Sequence, residues 1–306
     1  MKGLVIKSTG SWYQVRTMDG TVVDCRIKGK FRTKDIKTTN PVAVGDHVEI
    51  EMESAQDTAV ITKLEERKNY IIRKSVNLSK QAQIIAANLD QALLVVTLAS
   101  PRTSLGFIDR FLVTAEAYDI PAALIFNKLD LFSEEGLEIL AAYEDIYTGI
   151  GYPCYNVSAL EGINLDQVRS LLHDKVTLFS GHSGVGKSTL INQLIPGIEL
   201  KTGEISEWSD KGQHTTTFAE MHILPEGGYL VDTPGIRELG IIDIEQQELG
   251  HFFPEIRERM NSCRFNNCRH INEPGCAVLS AVEDGEIEPS RYDSYLSIYH
   301  GNDTRS

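Results

Sequence analysis

Lys187 and Ser188 end the run GHSGVGKS (residues 181–188), which matches the phosphate-loop spacing G-x-x-x-x-G-K-[ST]. Such a loop surrounds phosphates with backbone N–H groups at the positive end of a helix, with the lysine on the outer phosphates and the hydroxyl on Mg²⁺. The candidate cradle is Ser180, Gly181, His182, Ser183, Gly184, Val185, Gly186, Lys187, Ser188 and Thr189. A glycine-rich turn that merely matches the pattern is the alternative, but the apolar run KVTLFS before it and the helical run after it supply the required context. Further on, DTPG (232–235) follows the apolar GYLV. Asp232 is placed there to hold Mg²⁺, and the Gly235 N–H to sense a terminal phosphate, although D-T-P-G alone is an ordinary turn.

About fifty residues before the cradle, AALIF leads into Asn127, Lys128, Leu129 and Asp130. A buried Asp130 carboxylate could accept both guanine N1–H and the 2-amino group; adenine offers neither donor, so GTP is expected over ATP. An isolated NKLD is equally a helix cap after a strand. Ser158, Ala159 and Leu160, after PCYNV, are placed to add backbone N–H contacts to the base.

Three of the five cysteines crowd into CRFNNCRHINEPGC (263–276). Cys263, Cys268, His270 and Cys276 offer three thiolates and an imidazole, a closed tetrahedral set for one structural Zn²⁺; a surface cluster of free thiols is the other reading. Arg264 and Arg269 within it could meet RNA phosphate or simply be solvated. Cys25 and Cys154 carry no comparable signal.

The elements that must position these groups follow from periodicity. Apolar strands are expected at 92–99, 122–127, 153–158, 175–180, 218–224 and 228–233, alternating with helices at 107–118, 134–147, 164–173 and 187–194. That is the pattern of a parallel sheet wrapped by helices. Before them, GLVIKST, WYQVRT, TVVDCRIKG, HVEIEM and TAVITKLEE read as five short strands of a small OB-type barrel, and the polar stretch 73–83 reads as a linker. Domains are expected at 1–72, 73–240 and 241–306.

Composition bounds the chemistry. A chain of 306 residues, 42% hydrophobic and 24% charged, can bury two or three cores. No apolar run approaches the roughly 20 residues of a membrane span, and the N-terminus lacks a leader pattern, so a cytoplasmic protein is expected. The net charge of −13 argues against indiscriminate nucleic-acid binding, yet residues 1–80 carry +5 and the remainder −18. Within the basic part, Arg26, Lys28, Lys30, Arg32 and Lys34 fall at every second position, one face of an extended strand and a plausible track for an RNA backbone, with Phe31 and Trp12 as stacking surfaces. A solvated edge strand protected by charge is the competing reading.

Together these pieces resemble the Ras-like GTPases, except for their order. Here NKLD and SAL precede GHSGVGKS, HTTT and DTPG, a circular permutation that a nucleotide site tolerates because each loop need only leave its own strand end in the right place. With the barrel, the GQHTTT tract and the Cys/His cluster, the chain resembles the RsgA/YjeQ family of small-subunit ribosome biogenesis GTPases. The resemblance implies a circularly permuted P-loop GTPase domain between an N-terminal OB-type barrel and a C-terminal helical zinc-binding domain. It also implies small-subunit rRNA as partner, and a monomer without membrane attachment. In 201–217 one threonine, preferably Thr216, should join Ser188 and Asp232 on Mg²⁺, unless the tract is only a hydroxyl-rich turn. Ile236 stands where Ras-like enzymes carry a water-orienting glutamine, so intrinsic turnover should be slow. His214 is then the candidate to position water or stabilise charge, although a loop histidine is often just solvated. Because the chain leaves DTPGIREL straight for the cysteine region, nucleotide state is expected to tilt that region relative to the barrel. A nucleotide-gated RNA-binding module is the competing function; an ATPase or kinase is disfavoured by Asp130.

Overall fold

The chain is described by a computed structural model over residues 1–27, 41–53, 57–74, 82–200, 219–232 and 244–301. Five strands open it: β1 (Lys2–Ser8), β2 (Tyr13–Thr17), β3 (Val22–Ile27), β4 (His47–Met52) and β5 (Thr58–Leu64). β1 pairs with both β2 and β4, β3 runs parallel to β5, and β4 pairs with β5, so the ribbon closes into a barrel. Alternation along the strands drives the closure: Val5, Val15, Val23, Cys25, Val48, Ile50, Ala59 and Ile61 fill the interior while their neighbours face out.

The stretch expected to be a linker is instead partly paired. β6 (Tyr70–Lys74) and β7 (Ala82–Ala87) form an antiparallel ribbon, with residues 75–81 outside the described residues. Ile71, Ile72 and Ile84, which flank the polar stretch 73–83, are buried and carry the ribbon's apolar content.

β8 (Gln91–Val96), β9 (Ala122–Phe126), β10 (Cys154–Asn156), β11 (Val176–Ser180), β12 (Glu220–Ile223) and β13 (Tyr229–Asp232) build the second sheet in the order β10-β9-β8-β11-β13-β12. All neighbours in it are parallel except β12 with β13. Every residue of β8 is buried, because helices cover both faces. Leu94 and Val96 pack with α1 (Leu105–Ala117) and α2 (Glu134–Gly149); Leu93 and Val95 pack with α3 (Leu165–Leu172) and α4 (Lys187–Leu194). Ser104 and Ser133 cap α1 and α2 by accepting the N–H of Phe107 and Gly136.

The barrel is joined to this sheet. β1 pairs with edge strand β12, making one continuous sheet of eleven strands. Gly45 packs so closely on β7 that a Cβ there would lie 2.1 Å from the Ala87 carbonyl oxygen, and Asn88 donates to the Gly45 carbonyl at 2.9 Å. The C-terminal part holds the short helices α5 (Pro254–Arg257), α6 (Ala277–Glu283) and α7 (Pro289–Tyr299), whose core of Phe253, Ile256, Val278 and Tyr295 includes Val113 from α1. No described helix is long and apolar enough to cross a membrane.

Candidate functional site

β11 ends at Ser180, the loop 181–186 turns back, and α4 begins at Lys187. Two glycines make the turn possible. Gly181 (φ 153°) approaches β8, where a Cβ would lie 2.6 Å from the Val95 carbonyl, and at Gly186 (φ 89°) a Cβ would lie 2.3 Å from the Asn127 amide nitrogen. Val185 is buried, Ser183 and Gly184 are exposed at the crest, and Ser188 and Thr189 are half-buried in the first turn of α4. The His182 ring lies against Phe107 of α1 with centroids 3.7 Å apart. The Ser180 hydroxyl is buried and meets no hydrogen-bond partner among the described residues. Lys187 Nζ lies 2.6 Å from Asp232 Oδ1 at the end of β13, each side chain only 15% exposed.

The base-reading candidates meet the same loop. Asn127, 2% exposed at the end of β9, donates to the Val185 carbonyl at 2.8 Å and accepts the Ala159 N–H at 2.9 Å. One side-chain amide thus ties the phosphate loop, NKLD and SAL into one sheet edge. Lys128 takes a left-handed backbone (φ 66°), which turns Asn127 inward and the following residues outward, and its ammonium donates to the Ser100 carbonyl. The adjacent Pro101 lies close beside Gly184, 3.3 Å from where a Cβ would stand, so the loop after β8 flanks the glycine-rich loop, a placement no motif in its sequence announces.

Asp130 accepts from the buried Ser158 hydroxyl, which itself accepts the Glu161 N–H at 3.1 Å. Contrary to the expectation of a buried carboxylate, Asp130 is exposed. It is the middle residue of the one-turn 3-10 segment Leu129–Leu131 that follows β9. Leu129 is half-buried, whereas Leu160 is 70% exposed, which leaves its backbone as the part suited to a ligand.

Four ligand atoms, from Cys263, Cys268, His270 and Cys276, lie within 4.8 Å of one another. His270 Nδ1 is 3.5 Å from the sulfurs of both Cys263 and Cys276, which are themselves 3.9 Å apart. Tetrahedral zinc with three sulfurs and one nitrogen separates its ligand atoms by about 3.5–3.8 Å, so the cluster could hold one zinc. Burial pushes the Cys268 thiol up to about 12 and keeps His270 below its ordinary value. Burial works against ionisation of Glu273, but the N–H groups of Arg269, Ile271 and Asn272 donate to its carboxylate and hold it at about 2. Tyr292 and Tyr295 of α7 donate to the carbonyls of His270 and Arg269, each at 2.7 Å.

The remaining sequence candidates separate. Arg26 lies on β3 and pairs with Glu53 at 2.6 Å, and Trp12 is 43% exposed. Lys28, Lys30, Phe31, Arg32, Lys34, His214, Thr216, Gly235 and Ile236 lie outside the described residues.

Comparisons with known proteins identify the family. The RsgA GTPase family model matches residues 64–242, and the RsgA N-terminal domain model residues 2–61. The chain belongs to the RsgA GTPase family. Small ribosomal subunit biogenesis GTPase RsgA of Bacteroides fragilis is 58% identical over 298 residues, 97% of this chain and 96% of the relative. The protein of that name from Christiangramia forsetii is 53% identical over 305 residues, 99% and 97% of the two chains. Among solved structures, YjeQ from Thermotoga maritima superposes with a TM-score of 0.81 at 36% identity, covering 98% of this chain and 97% of that one. YloQ, described as a circularly permuted GTPase, gives 0.76 at 33% identity, covering 98% and 94%. The chain therefore carries the permuted GTPase fold behind a five-stranded barrel, with a Cys₃His cluster in its C-terminal part.

Proposed function

We propose that the chain hydrolyses GTP to GDP and phosphate when docked on the small ribosomal subunit late in that subunit's maturation, and turns over slowly alone. The observation that carries the reading is Asn127, whose amide joins the phosphate loop to both base-reading loops, so one nucleotide can span them. The relatives' names supply the setting. Residues 181–186 cradle the phosphates, Lys187 meets the outer ones, and Asp130 with the backbone of Ser158, Ala159 and Leu160 reads guanine. Ser188, Thr216 and Asp232 hold Mg²⁺, which when bound neutralises charge on the outer phosphate oxygens. With Ile236 after DTPG and no glutamine there, His214 becomes the water-positioning group on the docked subunit. The four ligands at 263–276 hold one structural Zn²⁺, and the cations at 26–34 follow rRNA phosphates.

In this scheme the chain is a cytoplasmic monomer in three units, 1–72, 73–240 and 241–306, that joins the subunit with GTP and leaves with GDP. The absent glutamine also favours a second reading, a nucleotide-gated RNA-binding module in which hydrolysis is incidental. GTP turnover measured with and without purified small subunits tests the first reading, which expects strong stimulation; a flat rate rejects it. Normal release of the chain from subunits with a nonhydrolysable GTP analogue would favour the second.

A further inference from the structure

A row of charged residues crosses from the barrel to the nucleotide edge. Lys7 of β1 is in register with Glu220 of β12, and Glu220 with Asp232 of β13. Directly opposed residues point to the same face of a sheet and neighbouring strands lie about 5 Å apart, so the three side chains stand in a line about 10 Å long. Lys7 Nζ is 3.1 Å from Glu220 Oε1, and Asp232 Oδ1 is 2.6 Å from Lys187 Nζ. The row reads cation, anion, anion, cation, with its first member on the barrel and its last in the phosphate loop. The barrel is held in this register by Arg16, which donates to Tyr229 Oη at 2.7 Å three residues before Asp232, and by the close packing of Gly45 on Ala87.

We propose that Glu220 is a positioning residue for the Mg²⁺ end of the nucleotide site and that the barrel sets its influence through Lys7. The inference rests on the reading of Asp232 as a Mg²⁺ ligand. While Lys7 neutralises it, Glu220 adds little field at Asp232. An anion that draws Lys7 away, such as an RNA phosphate, leaves an uncompensated carboxylate beside Asp232, which raises the attraction for a divalent cation and competes for the Lys187 ammonium. Lys7 and Glu220 are 38% and 47% exposed, so the effect is modest and weakens with salt.

The test titrates Mg²⁺ against the full chain with a fluorescent nonhydrolysable GTP analogue, reading nucleotide fluorescence rather than turnover. At low salt, Lys7→Gln should lower the half-saturating Mg²⁺ about two- to fivefold and Glu220→Gln should raise it, with thermal stability unchanged in both. In the Glu220→Gln background, Lys7→Gln should lose most of its effect, because it acts through the carboxylate. Equal effects in both backgrounds, or no shift in either, overturn the proposal. Asp232→Asn separates the two failures: if it leaves the Mg²⁺ dependence unchanged, the reading of Asp232 is wrong. If it shifts the dependence while the Lys7 and Glu220 variants do nothing, only the positioning role is wrong.

Discussion

Arg291 of α7 and Asp109 of α1, 182 residues apart, form an ion pair at 2.7 Å with both side chains closed off from solvent. Glu255 of α5 takes the other edge of the guanidinium at 2.7 Å, and Tyr147 of α2 donates to Asp109 at 2.9 Å. Burial pushes the Asp109 carboxyl up against the pull of Arg291, while the two carboxylates keep Arg291 charged despite its own burial. The Cys₃His region, held to α7 by Tyr292 and Tyr295, is thereby tied to α1, whose Phe107 packs on His182.

Arg291→Met strands two buried carboxylates. It should cost about 3–5 kcal/mol of stability in urea unfolding, far more than the loss of a surface pair such as Arg169 with Asp166.

Cys268→Ser removes one of four converging ligands. Elemental analysis of the purified chain should fall from one zinc to well below one, and a chelator should lower the melting temperature of the parent chain but barely that of the variant.

Glu273 tests the knuckle's electrostatics. A carboxylate held at about 2 contributes stability that is fully present above its ordinary value and fades as pH falls toward 2. Glu273→Gln should therefore cost about 2 kcal/mol at pH 7. Its deficit relative to the parent should shrink as denaturant titrations move below pH 5.

At the base, Asp130→Asn replaces an acceptor with a donor. GTP affinity should drop about a hundredfold, and xanthosine triphosphate, which presents a carbonyl at that edge, should compete better than GTP. ATP should compete poorly with both chains.

His214→Ala should lower subunit-stimulated turnover at least about tenfold and leave GTP affinity intact. Unchanged stimulated turnover removes His214 from the mechanism.

What the sequence determined alone is whatever lies in contiguous stretches. GHSGVGKS, NKLD and the cysteine spacing each group their residues through a few backbone bonds, so the permuted motif order and the Cys₃His cluster were legible before any fold was known. Hydrophobic periodicity likewise marked the barrel strands and the helices covering the sheet, because local burial repeats every two or 3.6 residues. Tertiary structure decided everything that depends on pairing across long separations. The ends of the polar stretch 73–83 became part of a ribbon because the isoleucines that flank it, Ile71, Ile72 and Ile84, are buried. Asp130 came out exposed because its segment ends at the sheet rim. Arg291, Asp109 and Glu255 would each read as solvated surface in isolation, yet they are 1%, 0% and 4% exposed because three helices bring compensating charges together. The row from Lys7 to Asp232 exists only through strand register, which sequence spacing does not encode.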